Sequence, residues 1–512
     1  MTRRATHGVA AACAIGACLG WGSAARASSG IESPEAGATQ VGRGGAWLVR
    51  ADDPLAAYLN PAALVTQGHG VSGGLQLLFL KHCFDRRLPN GERPSPGQSL
   101  AAPSDEVCAD NTPYPSPQLA GSVRLHQRFA LGLALLGPHA KGSETWPDTI
   151  VYADRAGDTD HPSPQRYLLL ESHNIVLFPT LAASVAATRE LSFGVGFVWG
   201  VASIDFANMT ESVSPLRDPS NPDDFTADIR SRIRGVDGFV PGVVASVLWS
   251  PSERLGLSGW FRWSDAIRTA VDLTTQASYY TVGGRVNDAA LANPANVTDV
   301  AGAGRLTIPI PMEAKLGLRY RHPRASAARA AASDDWGGWV RDPLASELFD
   351  LELDLTWAND SAVDAIELRF EPGIRIQPTT GFVPENADMP HRWRDALGVR
   401  FGGDVAVVPD LLALRAGGFF ESSSADARYL TLDFHPSERI GLGGGGTLRL
   451  GPIDASLAYQ HTFFGTIDNG GQGSVHAISG DATTGQRSRQ AVNGGSASAS
   501  LNELSLGVAA RI

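Results

Sequence analysis

Gly70-Val71-Ser72-Gly73-Gly74 has the spacing of a nucleophile elbow, the turn that presents a serine hydroxyl to an acyl group. That chemistry needs a helix directly after the serine, and Leu75-Gln76-Leu77-Leu78-Phe79-Leu80 reads as a strand instead. Gly441-Leu442-Gly443-Gly444-Gly445-Gly446 fits a dinucleotide-binding glycine pattern, but no helix opens behind it, so it reads as a strand that leaves room for a neighbour. The histidines are scattered without metal-ligand spacing, and Asp158, Asp160 and His161 sit in a solvated loop. No catalytic residue, cofactor or metal is therefore expected. Four cations, Arg319, Arg321, Arg400 and Arg415, could meet a carboxylate ligand. The competing expectation, favoured for most of them, is pairing with acids such as Asp52, Asp53, Glu352 and Asp354, because buried charges need partners.

The elements that would position these residues show a period of two. Leu191, Phe193, Val195, Phe197, Trp199 and Val201 alternate with Ser192, Gly194, Gly196, Val198, Gly200 and Ala202, giving a strand with one bulky and one small face. Leu351, Leu353, Leu355 and Trp357 alternate with Glu352, Asp354 and Thr356. Leu316, Leu318 and Tyr320 alternate with Lys315, Gly317, Arg319 and Arg321, and Leu397, Val399 and Phe401 with Gly398, Arg400 and Gly402. Apolar-out, polar-in alternation over many segments is the signature of a transmembrane barrel. Strands are expected near 70–82, 117–126, 128–137, 174–187, 190–204, 237–250, 255–275, 306–322, 346–358, 393–403, 412–422, 438–450, 453–464 and 501–512. Their connections alternate long and short, as in barrels with long external loops and short periplasmic turns. The Ala/Arg-rich stretch 323–345 is too long for a turn and reads as a periplasmic insertion or a miscount. Trp249, Trp260, Trp263, Tyr320 and Trp357 are candidates for interfacial aromatic belts.

Bulk composition agrees. The chain has 512 residues, 43% hydrophobic and 19% charged, with a mean hydropathy of -0.08, too polar for a helical membrane bundle. A net charge of -11 argues against nucleic-acid binding, which needs a basic face. Arg3 and Arg4, a short Ala/Gly/Cys run and Ala25-Arg26-Ala27 read as a secretory signal over 1–27. An uncleaved anchor or a lipoprotein at Cys18 are the alternatives. Cleavage leaves Cys83 and Cys108, an even pair in an exported chain, expected as a disulfide closing an external loop; free thiols or a zinc pair are the other readings.

Residues 28–69 break the pattern. Gly37-Ala38-Thr39-Gln40-Val41-Gly42-Arg43-Gly44-Gly45-Ala46 is followed by Asp52-Asp53-Pro54, which can open a short helix, and by Asn60-Pro61-Ala62-Ala63-Leu64, which stops it. Such a compact, small-residue unit suits the filling of a lumen. The stretch resembles the hatch of the FadL-type family, outer-membrane transporters of long-chain fatty acids and aromatic hydrocarbons, with Ala63 where the family has Gly. Phe178-Pro179-Thr180, Ile308-Pro309-Ile310-Pro311 and Trp393-Arg394-Asp395-Ala396 resemble the family in order along the chain. The chain ends in Ile512 rather than an aromatic residue, a departure from many barrels.

The expected architecture is all-β: a 14-stranded antiparallel transmembrane barrel over 70–512, with a plug over 28–69 containing short helices. The resemblance implies passive uptake of a hydrophobic molecule such as a fatty acid or hydrocarbon by a monomer seated in outer-membrane lipid. It makes Gly42, Gly44, Gly45, Asp52, Asp53, Asn60, Pro61 and Ala62 the plug and gating residues. A structural or adhesive barrel with a static plug is the alternative, and a polar porin is a third.

Overall fold

The computed structural model describes residues 36–93, 106–136, 143–154, 157–211, 225, 228–324, 341–379, 381–477 and 491–512. The signal segment 1–27, residues 28–35 and most of the 323–345 stretch lie outside them. No helix among the described residues is long and apolar enough to cross a membrane, which says nothing about crossing by strands.

Fourteen strands close an antiparallel barrel. They are β1 (Gly70–Arg86), β2 (Tyr114–His126), β3 (Phe129–Leu136), β4 (Ile175–Leu177 and Thr180–Ala186), β5 (Leu191–Glu211), β6 (Asp228–Trp249) and β7 (Leu255–Ser264 and Ile267–Gln276). They continue as β8 (Val297–Ile308 and Glu313–Pro323), β9 (Glu347–Ala358 and Ala365–Phe370), β10 (Ala396–Val408), β11 (Leu412–Glu421), β12 (Arg439–Leu450), β13 (Ile453–Phe464) and β14 (Gly495–Arg511). Each pairs with its sequence neighbours, and β14 returns to β1 along Gly70↔Arg511 to Arg86↔Gly495. Closure leaves no sheet edge, the condition for a sheet in lipid.

The alternation resolves as the sequence implies. Phe193, Val195, Phe197 and Trp199 face outward, while Ser192, Gly196, Val198 and Gly200 are buried. Trp249, Trp263 and Tyr320 are exposed on the outer surface, and Trp357 is half-buried. Trp260 does not join the outer belt. It is buried, in phase with Ser258 and Arg262, and donates its indole N–H to the carbonyl of Tyr58 inside the barrel (3.0 Å). The belt instead gains a contact between Trp199 and Phe239, whose ring centroids are 4.8 Å apart.

Several connections expected as loops are strand. β5 and β6 stay paired from Leu191↔Trp249 up to Glu211↔Asp228, well past Trp199. β7, β8 and β9 also rise, but each is broken: at Asp265-Ala266, at Pro309–Met312 and at Asn359–Asp364. Proline at 309 and 311 cannot donate a ladder bond, so the break on β8 follows from its sequence. The result is a tall wall on one side of the barrel at the long-loop end. Its outer face carries ion pairs such as Asp205–Arg232 (2.7 Å) where the lower wall carries leucines. On the same end Cys83 and Cys108 form a disulfide tying β1 to a two-residue strand, Val107–Cys108.

Candidate functional site

Residues 36–69 lie inside the barrel. Gly37 and Gly44 have left-handed φ of 93° and 60°, angles that favour glycine, and between them runs a short helix, α1 (Ala38–Gly42). Asp53 accepts a hydrogen bond from the amide of Leu55 (2.8 Å) at the start of α2 (Ala56–Leu59). Asn60-Pro61 ends that helix and begins a 3-10 turn, Pro61–Thr66.

The wall receives this unit in three ways. First, wall glycines admit its backbone. A Cβ at Gly417 or Gly402 would lie 2.0 or 2.2 Å from the carbonyl oxygen of Arg43, and one at Gly443 would lie 2.4 Å from that of Val41. The glycine run 441–446 is therefore a strand shaped around the plug. Gly44 packs in turn against the backbone of Gly417 and Gly418, and Gly42 against the stem of Arg415.

Second, wall serines hold the Asn60-Pro61-Ala62 turn. The amide of Ala62 donates to Ser246 Oγ (2.8 Å), and its carbonyl accepts from Ser192 (2.8 Å) and Ser184 (3.1 Å), one serine from each of β6, β5 and β4. Asn60 Nδ2 donates to the carbonyl of Leu48 (2.6 Å) and to Ser258 Oγ (2.9 Å). Pro61 lies against Gly194, where a Cβ would not fit.

Third, a buried ionic network ties the plug to β9 and β10. Arg43 donates to both oxygens of Asp350 (3.0 Å each), to Asp404 (2.7 Å) and to Glu352 (3.2 Å). Arg50 bonds Asp52 (2.9 Å) and reaches Asp350 (3.3 Å) and Asp404 (3.1 Å). Glu352 also accepts from the amide of Val49, and Asp354 accepts from the amides of Trp47 and Leu48 (3.1 Å each). Asp52 takes the indole N–H of Trp47 (3.1 Å).

The four arginines expected in the lumen are distributed around this network. Arg319 bonds Asp350 (2.6 Å) and Glu347. Arg415 bonds Thr447 and lies 3.2 Å from Asp404. Arg400 pairs with Glu421. Arg321 is half-exposed near the short-turn end and bonds the carbonyl of Glu253. Sequence reasoning missed Arg43 and Arg50, which make the plug's ion pairs with the wall. Their partners lie about 300 residues away, and only the glycines around Arg43 hinted at a crowded backbone.

Above the plug an apolar cluster lies beside buried charges, with Arg262 donating to Tyr58 Oη (2.7 Å) and lying 3.5 Å from Glu313. Tyr58 of α2 stacks on Phe178 with centroids 6.1 Å apart and meets Trp260 edge-on at 6.2 Å. From there one buried cluster runs through Val271, Leu273, Leu306 and Leu368 to Trp393 and Phe434 beneath the long loops. Within it is a cavity bounded by β5, β6, β7, β9 and the segment Ile376–Met389, with Phe206, Ile233, Leu273, Phe370 and Met389 among its walls. A second, polar cavity of about 300 Å³ lies at the short-turn end between the plug and β1, β2 and β14.

Two long loops meet over the apolar cluster. Buried His391 bonds the carboxylate of Asp433 through Nε2 (2.8 Å) and the carbonyl of Met389 through Nδ1 (2.9 Å). A backbone carbonyl and an ionised carboxylate both accept, so the two bonds together favour the doubly protonated ring. Burial alone would lower the pKa of His391, but Asp433 and the Met389 carbonyl outweigh it and raise the pKa above the ordinary histidine value.

No protein-family model and no curated relative matches the sequence. The structure does match solved ones. A FadL homologue of Pseudomonas aeruginosa aligns over 94% of this chain and 100% of its own, at 16% identity and a TM-score of 0.67. The P. putida toluene transporter TodX aligns over 94% and 99%, at 14% identity and a TM-score of 0.57. The Ralstonia pickettii toluene transporter TbuX covers the same shares at 14% identity and 0.54.

Proposed function

Since the chain has the fold of the FadL-type family, we propose that it is an outer-membrane channel for passive entry of small hydrophobic molecules, closed by the plug of residues 36–69. The observation that carries this reading is the buried apolar column from the long-loop end to Tyr58. A hydrophobic molecule crossing a water-filled pore would forgo about 0.8 kcal/mol of apolar burial per CH₂. A column lined by apolar side chains avoids that loss. No covalent step is needed, and the chemically suggestive glycine-serine motifs are strand. The solved structures titled toluene transporters suggest hydrocarbons as cargo to test, and the resemblance of the hatch stretch to the FadL-type family adds long-chain fatty acids. One chain closes its own barrel, so a monomer in outer-membrane lipid suffices.

The test is uptake of radiolabelled toluene and of a long-chain fatty acid by cells carrying the protein, with Leu306→Glu as the comparison. Both proteins are first shown to be folded by their heat-dependent electrophoretic mobility. The wild type is expected to speed entry of at least one compound, and the buried charge to abolish the gain. No gain by the folded wild type would favour the static, structural or adhesive barrel.

A further inference from the structure

The long connection between the paired parts of β8 and β9 returns to the barrel as a strap at the short-turn end. Its described end, Arg341–Ser346, touches the plug and the wall on several sides. The amide of Arg341 donates to the carbonyl of Thr66, the last residue of the plug's 3-10 turn (2.8 Å). The Arg341 guanidinium donates to Ser250 Oγ in the β6–β7 turn (2.6 Å). Asp342 accepts two bonds from Arg449 of β12 (2.8 and 2.9 Å) and lies 3.1 Å from Arg511 of β14. Leu344 is buried against Ala406 of β10 and Ala413 of β11, and its carbonyl accepts from the amide of Asp410 in the turn between them (3.1 Å). An aspartate at this position ordinarily caps the helix that follows. Here the carboxylate makes no cap bond to the one-turn helix Pro343–Ser346 and is committed to Arg449 instead.

The strap sits between the plug's ionic network and the short-turn end. Pro343 and Leu344 border one small void together with Arg50, Asp350 and Asp404. Arg341 to Leu344 also form part of the wall of the polar cavity of about 300 Å³, together with Leu55 and Gln67 of the plug. That cavity gives the plug room to shift without leaving the barrel. The anchors of the strap differ from those of the plug. Asp410 is exposed and Asp342 and Asp454 are half-buried, so water screens their pairs with Arg449. The pairs of Arg43 with Asp350 and Glu352 are fully buried, where loss of one partner is far more costly. The strap is therefore the contact that yields first.

We propose that Arg341–Ser346 is a latch: it holds the plug from the short-turn end, and its ionic anchors release before the plug shifts into the polar cavity to let cargo pass. The proposal rests on the channel reading above and concerns the release of its plug.

The experiment compares wild type, Asp342→Ala and the double variant Asp342→Cys with Asp410→Cys, each as the full mature chain shown to be folded by its heat-dependent mobility. Both acids bond the same nitrogen of Arg449, so cysteines in their place are near enough to join by a disulfide or a short reducible cross-linker. Reduced, this variant has an open latch; joined, a fixed one. Wild type given the same reductant corrects for the Cys83–Cys108 bond. In lipid nanodiscs, amides 62–69 are expected to exchange about three- to tenfold faster in Asp342→Ala and in the reduced double variant, with the barrel strands still protected. The joined form should exchange at the wild-type rate or more slowly. Raising the salt to about 0.5 M should speed the same amides in wild type but not in Asp342→Ala, because Asp342 carries the ionic anchors of the strap; a strap held by packing alone would show no such difference. In cells, joining the cysteines should abolish uptake of toluene or long-chain fatty acid, whichever the wild type admits, and reduction should restore it. Uptake by the joined form at the wild-type rate, or unchanged exchange over 62–69 in Asp342→Ala, would each overturn the proposal. No uptake by the wild type would count against the channel reading, and exchange would still decide whether the strap holds the plug.

Discussion

Replacing Arg43 by methionine tests whether the plug is held by charge or merely by fit. Methionine keeps most of the length and the apolar stem, so the change removes the guanidinium and little else. The wall acids are not equally affected. Asp350 keeps Arg319 at 2.6 Å and Arg50 at 3.3 Å, and Asp404 keeps Arg50 at 3.1 Å and Arg415 at 3.2 Å. Glu352 is left with backbone amides and with Arg319 at 3.9 Å. Breaking a buried pair from one side costs about 3–5 kcal/mol, and the remaining arginines put this case near the lower end. About 3 kcal/mol is roughly two orders of magnitude in the docking equilibrium of the plug. Hydrogen exchange reads this locally: amides 38–50 should exchange about a hundredfold faster, while the barrel strands stay protected. Arg43→Lys should fall between, since an ammonium keeps the charge but not the planar fork. Combining Arg43→Met with Glu352→Gln should recover part of the loss, because the cost lies in the stranded acid. Exchange within threefold of wild type in Arg43→Met would refute the reasoning and leave glycine packing as the holding force.

Two further outcomes follow from the same geometry. Asn60→Ala removes the bonds to Leu48 and Ser258, so it should destabilise the plug by about 1–3 kcal/mol, visible as faster exchange over 47–66 without loss of the barrel. His391 has a raised pKa, so the stability it gives the loop contact is complete below the ordinary value near 6.5 and is lost as pH rises through its higher folded value. Exchange over 389–395 and 430–436 should therefore accelerate on the alkaline side, and His391→Gln should flatten that profile; a profile that stays the same in the variant would show another group is responsible.

The wall was legible in the sequence because lipid on one side and a crowded lumen on the other impose a strict period of two. Segments such as Leu191–Val201 and Leu351–Trp357 state it openly. The rise of β5 and β6 beyond Trp199 was not legible. There both faces meet polar surroundings or protein, and Asp205, Arg232 and Arg234 read as a solvated loop. Trp260 was assigned to the outer belt by residue type, although its phase with Ser258 and Arg262 already pointed inward. Gly42–Gly45 and Asn60-Pro61-Ala62 set residues 28–69 apart from the alternating strands, and alternation put Arg319, Arg400 and Arg415 on the face that is buried. Who pairs with whom was not readable, because Arg43 and Asp350 are joined only by the closure of the barrel. The loop contact of His391 depends on the path of long connections, where no periodicity constrains the chain.

The acidic stripe that anchors the plug has a further meaning for the electrical behaviour of the barrel. Glu347, Asp350, Glu352, Asp354 and Asp404 face the lumen side of one wall, against Arg319 and Arg415. Arg43 and Arg50, which pair with Asp350, Glu352 and Asp404, belong to the plug. Rings of carboxylates favour the passage of cations. Were the plug to leave as a unit, these acids would lose Arg43 and Arg50 and face the lumen against Arg319 and Arg415 alone, a cation-selective leak. A hydrophobic molecule that slips past a plug still docked on this stripe would cross without discharging ion gradients, so the placement of the charges favours small, local movements of the plug over its expulsion.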